Sequence, residues 1–438
     1  MSSRDNFQSK FGFILSCVGS AVGMANIWLF PYRVAQYGGA AFLIPYFIFV
    51  VFIGIAGVAG EMAFGRAMET GPLGAFAKAT KMRFNNSKVG TLIGAIPTLG
   101  SLALAIGYSV VVGWIIKYLF GSFSGVAFSG DSAEFFGSMC GDFGSWPWHM
   151  IGLLVAFVMM VFGIANGIEK VNKVMMPLFF ALFLVLAVVV AFMDGSSAGY
   201  LYLLKPEWAQ LANPKTWVYA LGQAFFSLSL AGSGTLVYGS YLKKSENVIS
   251  CAKNVALFDS IASMLAALVV IPAVFAFGLD LNSGPGLMFI TMPKVFQMMP
   301  LGRLIMIVFF VAVFFAAITS LINLFEAPVE AVQEKFKLSR TASVCVIAVI
   351  AVAVGLVIEN GDTVSNWMDV ISIYVIPLGA LLAAIMFFWV CPKGFAREQV
   401  QLGNKKPIGK WFEYATKYLF VGLTIVVYIL GIIFGGIG

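Results

Sequence analysis

The chain has 438 residues, 60% hydrophobic and only 11% charged, and its mean hydropathy of +0.94 excludes an ordinary soluble domain, so a lipid bilayer is its solvent. Its formal net charge of +7 sits in short Lys/Arg clusters between apolar stretches, which is a pattern of membrane topology and gives no sign of nucleic-acid binding.

About eleven apolar stretches of spanning length are predicted, near residues 11–36, 40–66, 89–120, 148–165, 171–193, 216–241, 250–278, 301–330, 341–358, 366–391 and 412–436. None has the alternating polar face of a porin strand, so the expected fold is an all-α membrane protein forming one domain over 1–438. The polar start MSSRDNFQSK runs directly into the first stretch without a small-residue cleavage site, so no removed signal peptide is expected. Cations gather in the loop 78–88 (Lys78, Lys81, Arg83, Lys88), the turn 169–173 (Lys170, Lys173), the loop 243–253 (Lys243, Lys244, Lys253) and the segments 335–340 and 393–410. Segment 121–147 has no Lys or Arg. The alternation predicts a multi-pass protein of the cell inner membrane with a cytoplasmic N-terminus, and an odd span count puts the C-terminus outside. The five cysteines, at 17, 140, 251, 345 and 391, contain no CxxC pair and suggest neither a metal cluster nor a structural disulfide. The single His149, beside Trp146 and Trp148, reads as a residue of the membrane–water interface.

Two stretches are interrupted. The first contains GSAVGMANIWLFP, with Gly19, Gly23, Asn26 and Pro31 in what should be continuous helix; the sixth contains Ser227, Ser229, Gly232, Ser233 and Gly234. Both interruptions fall near mid-membrane, five helices apart, as the first members of two five-helix halves would be. This predicts inverted repeats over 11–193 and 216–391 and an additional helix at 412–436. Amides and carbonyls freed inside hydrocarbon cost several kcal/mol each unless protein, water or ligand replaces their partners. Each break is therefore a ligand-shaped gap: carbonyls suit a bare cation, and the resumed half-helices suit a carboxylate. The bland alternative for Gly19 and Gly23 is close helix packing through a small-xxx-small pattern.

The run from Gly12 through GSAVGMANIWLFPYRVAQYGGAAFLIPY to Tyr46, followed by Glu61-Met-Ala-Phe-Gly-Arg66, resembles the neurotransmitter:sodium symporter family. So do Gly167-Ile-Glu-Lys170 with Met176-Pro177, Gly222-Gln-Ala-Phe-Phe-Ser-Leu-Ser229 and Phe315-Ala-Ala-Ile-Thr-Ser320, in the same order over nearly the whole chain. The resemblance implies sodium-coupled amino-acid import by alternating access, with two sodium ions as cofactors and a homodimer as one compatible assembly. One sodium site would use main-chain oxygens of Gly19, Val22 and Ala316 with the hydroxyls of Thr319 and Ser320. The other would use the Ala21 carbonyl, Asn26, Ser227 and the substrate's carboxylate, with Asp259 acting as a ligand or from behind the ligands. A lone Asp in the seventh span is a functional candidate by default. Members that need chloride have neutral residues there, so no chloride requirement is expected.

The same resemblance frames a substrate pocket with Ala21, Ala25, Tyr108, Phe226, Ser227, Ser229, Gly232, Ser320 and Leu324, Phe226 lying over it as a lid. Amine transporters of the family carry an aspartate where this chain has Gly23, so the substrate is expected to bring its own carboxylate. Gly232 suggests space for an apolar or aromatic side chain, whereas Ala25 narrows the site. For gating, the family's NxWRFP is altered here by Leu29, and Arg33 with Asp369 is the candidate outer replacement; interfacial snorkelling is the alternative for Arg33. Arg4, with Glu334 and Tyr241 and with Ser240 nearby, resembles the inner latch. Glu61 is expected to cap freed amides of the first helix. Among rival readings, Gly195-Ser-Ser-Ala-Gly199 fits a hydrolase motif but lies in a predicted loop. A channel would want a continuous polar pore, and a membrane sensor that has lost transport would keep the binding site.

Overall fold

The computed structural model describes residues 5–281 and 284–437, and their regular structure is helical. The first stretch forms α1 (Lys10–Ala21) and α2 (Ala25–Gln36), bent by 60° across residues 22–24. Ser9 starts α1 by accepting a hydrogen bond from the Gly12 amide, as an N-cap does. Then follow α3 (Ala40–Met68), α4 (Pro72–Phe84), α5 (Ser87–Ser124), α6 (Trp146–Val161) and α7 (Ile164–Ala191). The sixth stretch is divided into α8 (Pro214–Ser227) and α9 (Gly234–Gly239). The chain continues with α10 (Val248–Ala276), α11 (Gly302–Phe336), α12 (Arg340–Val357), α13 (Gly361–Val390) and α14 (Trp411–Phe434).

Among the described residues, eight helices are long and apolar enough to cross a membrane, and the bent α1–α2 pair makes a ninth unit. The remaining expected spans depart from an unbroken crossing: α6 has 16 residues, and α8 and α9 have 14 and 6. Burial sorts the bundle. In α5 and α11, which pack along each other, 72% of the apolar window is covered by protein, against 28% in α7, α12 and α14. The outer ring therefore shows lipid its apolar side chains, such as Leu184, Val185 and Val188 on α7, because no hydrophobic force in a bilayer would hide them.

Several expectations change. The segment 169–173 is helix rather than turn, because α7 begins at Ile164; Lys173 pairs with Glu169 one turn back at 2.6 Å. Most of the basic loop 78–88 is likewise the end of α4. Gly195 to Gly199 opens the helix Ser196–Leu204, and a Cβ on Gly199 would stand 2.4 Å from the Pro272 backbone, so its glycines serve packing. His149 does not lie on the protein surface: it is fully buried against Glu359. The reason is steric, since a Cβ on Gly355 would lie 2.6 Å from its ring.

A second buried pair ties the corner between α11 and α12. Arg340 meets Glu326 through two hydrogen bonds of 2.6 Å and donates to the Met160 carbonyl at 3.0 Å, while the Tyr241 hydroxyl donates to Glu326 at 2.7 Å. The Glu326 side chain is wholly covered, so its charge depends on this fork. Arg340→Gln strands that carboxylate and is expected to cost about 3–5 kcal/mol, read as a large fall in the thermal-unfolding midpoint of purified protein. Lys244→Gln, at the exposed pair with Glu69, should shift the midpoint by no more than about 1 kcal/mol in equivalent stability.

Candidate functional site

The site grows from the two breaks. Val22 leaves the helical region with ψ 111°, which turns the last carbonyls of α1 away from any helical amide. The Ser320 hydroxyl of α11 lies 3.1, 3.3 and 3.0 Å from the carbonyl oxygens of Gly19, Ser20 and Val22. One hydroxyl has one proton, so at least two of these contacts set oxygen against oxygen. Such a crowd of oxygens is an arrangement that suits a cation. The Thr319 hydroxyl lies 2.8 Å from the Phe315 carbonyl and 3.1 Å from the Ala316 carbonyl of its own helix, and a Cβ on Gly19 would stand 3.0 Å from the Thr319 Cβ. The donor set named from sequence, Gly19, Val22, Ala316, Thr319 and Ser320, is thus brought together, and its hard, neutral oxygens fit a monovalent ion.

A second cluster stands on the other side of the α1–α2 break. The Asn26 amide nitrogen is 2.8 Å from Asp259, 2.8 Å from Ser263 and 3.1 Å from Ser227. Ser227 donates to the other Asp259 oxygen at 2.7 Å. All four side chains are buried. Two amide protons cannot serve three acceptors, and among the described residues no Lys or Arg pairs with Asp259. Neutral donors alone leave a buried carboxylate costly, so this cluster too suits a cation. Ser263 was missed from sequence, although it lies one helical turn beyond Asp259 on the same face of α10, which is the signal that could have found it.

The break between α8 and α9 supplies the facing wall. Ser229 takes φ 54° and Gly232 φ 68°, values that cost a non-glycine residue energy and persist where surroundings hold them. Ser229 is held by its hydroxyl, which donates to the Ser20 carbonyl at 2.8 Å. The freed Gly232 amide donates to Glu61 at 2.8 Å. Glu61 therefore caps the sixth span, not the first as expected, because the close approach of α3 is to α9: a Cβ on Gly65 would sit 1.8 Å from the Leu236 carbonyl.

Between the breaks lies a cavity of about 580 Å³, lined by Ala21, Ala25, Tyr108, Phe226, Ser229, Ser320 and Leu324. Sequence reading had not named Trp28, Val111, Phe136 and Met368, which make its walls largely apolar. Ser227 and Gly232 do not face it. Ser227 points to Asp259, and a Cβ on Gly232 would meet the Gly379 carbonyl at 2.3 Å, so the space expected from Gly232 is filled by α13. The buried Tyr108 hydroxyl stands near Ser320, and a Cβ on Gly23 would come within 3.2 Å of it and 3.0 Å of the Ser320 hydroxyl.

The expected gates are placed unevenly. Arg33 and Asp369 line a smaller cavity of about 230 Å³ behind Phe226. There Arg33 bonds to Gln36 at 3.3 Å and lies 4.1 Å over the Tyr219 ring, without an ion pair to Asp369 among the described residues. Arg4 lies outside the described residues. Its expected partner Glu334 accepts from Thr70, and Tyr241 turns to Glu326 instead. Closure at the basic end comes from groups the sequence reading had not named. Glu169 accepts from the Gln8 amide at 2.7 Å and the Ser9 hydroxyl at 2.8 Å, and Asp5 accepts from the Ile164 amide at 2.6 Å. Phe7 is buried edge-on against Phe13 and Tyr238.

Glu61→Leu leaves the Gly232 amide without an acceptor and is expected to lower stability by about 1–3 kcal/mol. Glu61→Gln keeps a carbonyl acceptor and should recover most of the loss in a thermal-unfolding series.

The family model described as the Sodium:neurotransmitter symporter family matches residues 4–142 and 127–434. An uncharacterized sodium-dependent transporter of Bacillus subtilis is 32% identical, with 97% of each chain covered. Another, of Methanocaldococcus jannaschii, is 30% identical over 94% of this chain and 87% of its own. Among solved structures, the crystal structure of MhsT in complex with L-phenylalanine superposes with a TM-score of 0.86 at 29% identity, covering 98% of this chain and 99% of that one. With the fold, the two breaks and these matches in agreement, the chain belongs to the sodium:neurotransmitter symporter family.

Proposed function

We propose that this integral membrane protein imports a neutral amino acid with an apolar or aromatic side chain, driven by sodium and without need of chloride. The observation that carries the reading is the pair of oxygen clusters, at Ser320 and at Asp259, flanking one apolar cavity. The cavity volume falls in the range of small-molecule sites, roughly 300–1,000 Å³. Gly23 leaves room beside Tyr108 and Ser320 for a carboxylate carried by the substrate, which the Tyr108 hydroxyl can meet as a donor. Trp28, Val111 and Phe136 favour an apolar or aromatic remainder. The bound L-phenylalanine of MhsT supports the same class.

In this reading Gly19, Val22, Ala316, Thr319 and Ser320 hold one sodium ion and Ala21, Asn26, Ser227 and Asp259 the other. The Asp259 carboxylate supplies the negative charge that chloride would otherwise bring. The basic connections face the cytoplasm of an inner membrane, so the cavity mouth at Asp362 and Asp369 faces outward and draws cations by its charge. The repeats 11–193 and 216–391 carry the alternating access, and 412–436 stands outside them. Each sodium ion entering down 100 mV contributes about 2.3 kcal/mol, and a tenfold concentration gradient about 1.4 kcal/mol more. Coupling needs no covalent step, because ion and substrate complete each other's sites and so favour the same conformation.

Reconstituted in liposomes with an inward sodium gradient, the protein is expected to concentrate radiolabelled neutral amino acids. Potassium in place of sodium should abolish uptake; gluconate in place of chloride should leave it unchanged. Ser320→Ala is expected to raise the sodium concentration for half-maximal uptake about tenfold, equivalent to about 1.4 kcal/mol. Binding without flux would instead identify a sensor, and equal uptake in potassium would refute the sodium assignment.

A further inference from the structure

The only histidine of the chain lies outside the ion and substrate clusters, in a niche closed on every side. Its ring is fully covered and the Glu359 side chain is 1% exposed, with Nδ1 2.6 Å from Glu359 Oε2. Nε2 lies 2.7 Å from Ser109 Oγ. Glycine at 113 and 355 admits the residue: a Cβ at Gly113 would lie 2.7 Å from the His149 amide nitrogen, and one at Gly355 would lie 2.6 Å from the ring.

Hydrogen-bond accounting then decides how many protons the pair holds. Ser109 Oγ is also 2.7 Å from the Ile106 carbonyl, which can only accept, so the serine proton is committed there. Toward the imidazole Ser109 can only accept, and Nε2 must carry a proton. On the other side, the Trp114 indole nitrogen, which can only donate, lies 3.1 Å from Ser145 Oγ. The Ser145 proton is thereby directed to Glu359 Oε1. What remains is the contact between Nδ1 and Oε2, which needs one proton whichever atom owns it. Either assignment holds one proton more than a neutral imidazole beside a carboxylate; without it, two lone pairs would face each other in a place water does not reach.

We propose that His149 and Glu359 form a proton-binding site, distinct from the sodium and substrate clusters, whose ligand is one exchangeable proton. The ionisable groups around it are engaged elsewhere or stand to one side. Lys117 of α5 donates to the Gly144 carbonyl at 3.3 Å, Asp142 accepts from Asn360 at 2.9 Å, and Cys140 packs on Gly361, next to Asp362. The bound proton ties three elements: α5 through Ser109, the start of α6 through His149 and Ser145, and the connection between α12 and α13 through Glu359. Ser109 follows Tyr108, and Gly361 and Asp362 line the cavity mouth. Release of the proton therefore loosens the mouth from the helix that carries Tyr108.

Because the chain has a single histidine, nitrogen-15 histidine labelling of the whole protein gives one imidazole to follow. The Nε2 signal is expected to be that of an N–H, and Nδ1 that of a protonated or strongly hydrogen-bonded nitrogen. If the proton resides on Oε2, the infrared spectrum contains a protonated-carboxyl band that Glu359→Gln abolishes. A ring protonated on Nδ1 alone, with a bare Nε2 and no such band, would overturn the proposal. The labelled wild-type protein decides this even if Glu359→Gln does not fold.

Discussion

Backbone amides and carbonyls cannot be left without partners in a bilayer, and the rest of this structure follows from two places where the chain leaves them so. At residues 22–24 and again between α8 and α9 the helical ladder stops. Some of the released groups are met by protein: Glu61 takes the Gly232 amide and Ser229 gives its proton to the Ser20 carbonyl. Others are met incompletely. Ser320 has one proton for three carbonyls, and Asn26 has two for three acceptors. Those shortfalls mark the two clusters proposed to hold sodium, so the constraint that makes a broken helix costly also makes it suited to a ligand.

Around this centre the two ends of the bundle are built differently. At the basic end, carboxylates hold neighbouring elements: Glu169 holds the start of α1, Glu326 holds Arg340, and Glu330 holds the Gly71 amide. At the opposite end, Arg33 and Asp369 share a cavity without bonding to each other, and the large cavity reaches the connections around Cys140 and Gly361. The bonds of Glu169, Glu326 and Glu330 thus lie at one end, while the large cavity extends toward the other.

The buried titratable groups divide by what balances them. Glu326 has a guanidinium, His149 and Glu359 have each other, and Asp259 has only neutral donors among the described residues. A buried carboxylate gripped by a guanidinium of the same chain, as Glu326 is, forms a fixed joint. Asp259, beside the α1–α2 break and without such a partner among the described residues, is open to an ion from solution, and this difference separates it from the clasp at Glu326.

Local pattern carried much of this in the sequence alone. Apolar runs located the helices, Gly, Ser and Asn inside two of them located the breaks, and the motif order indicated the family. These are properties of short segments, in which hydrogen bonding and hydrophobic length act within a turn or two. Tertiary structure decided the partners. Glu61 caps the sixth span because α3 crosses α9 closely. Gly232 faces α13 rather than the cavity because φ 68° turns it there. His149 lies in a niche shaped by glycines of two other helices instead of on the surface. Glu359 reaches it across 210 positions, a separation over which no local periodicity speaks and only packing chooses.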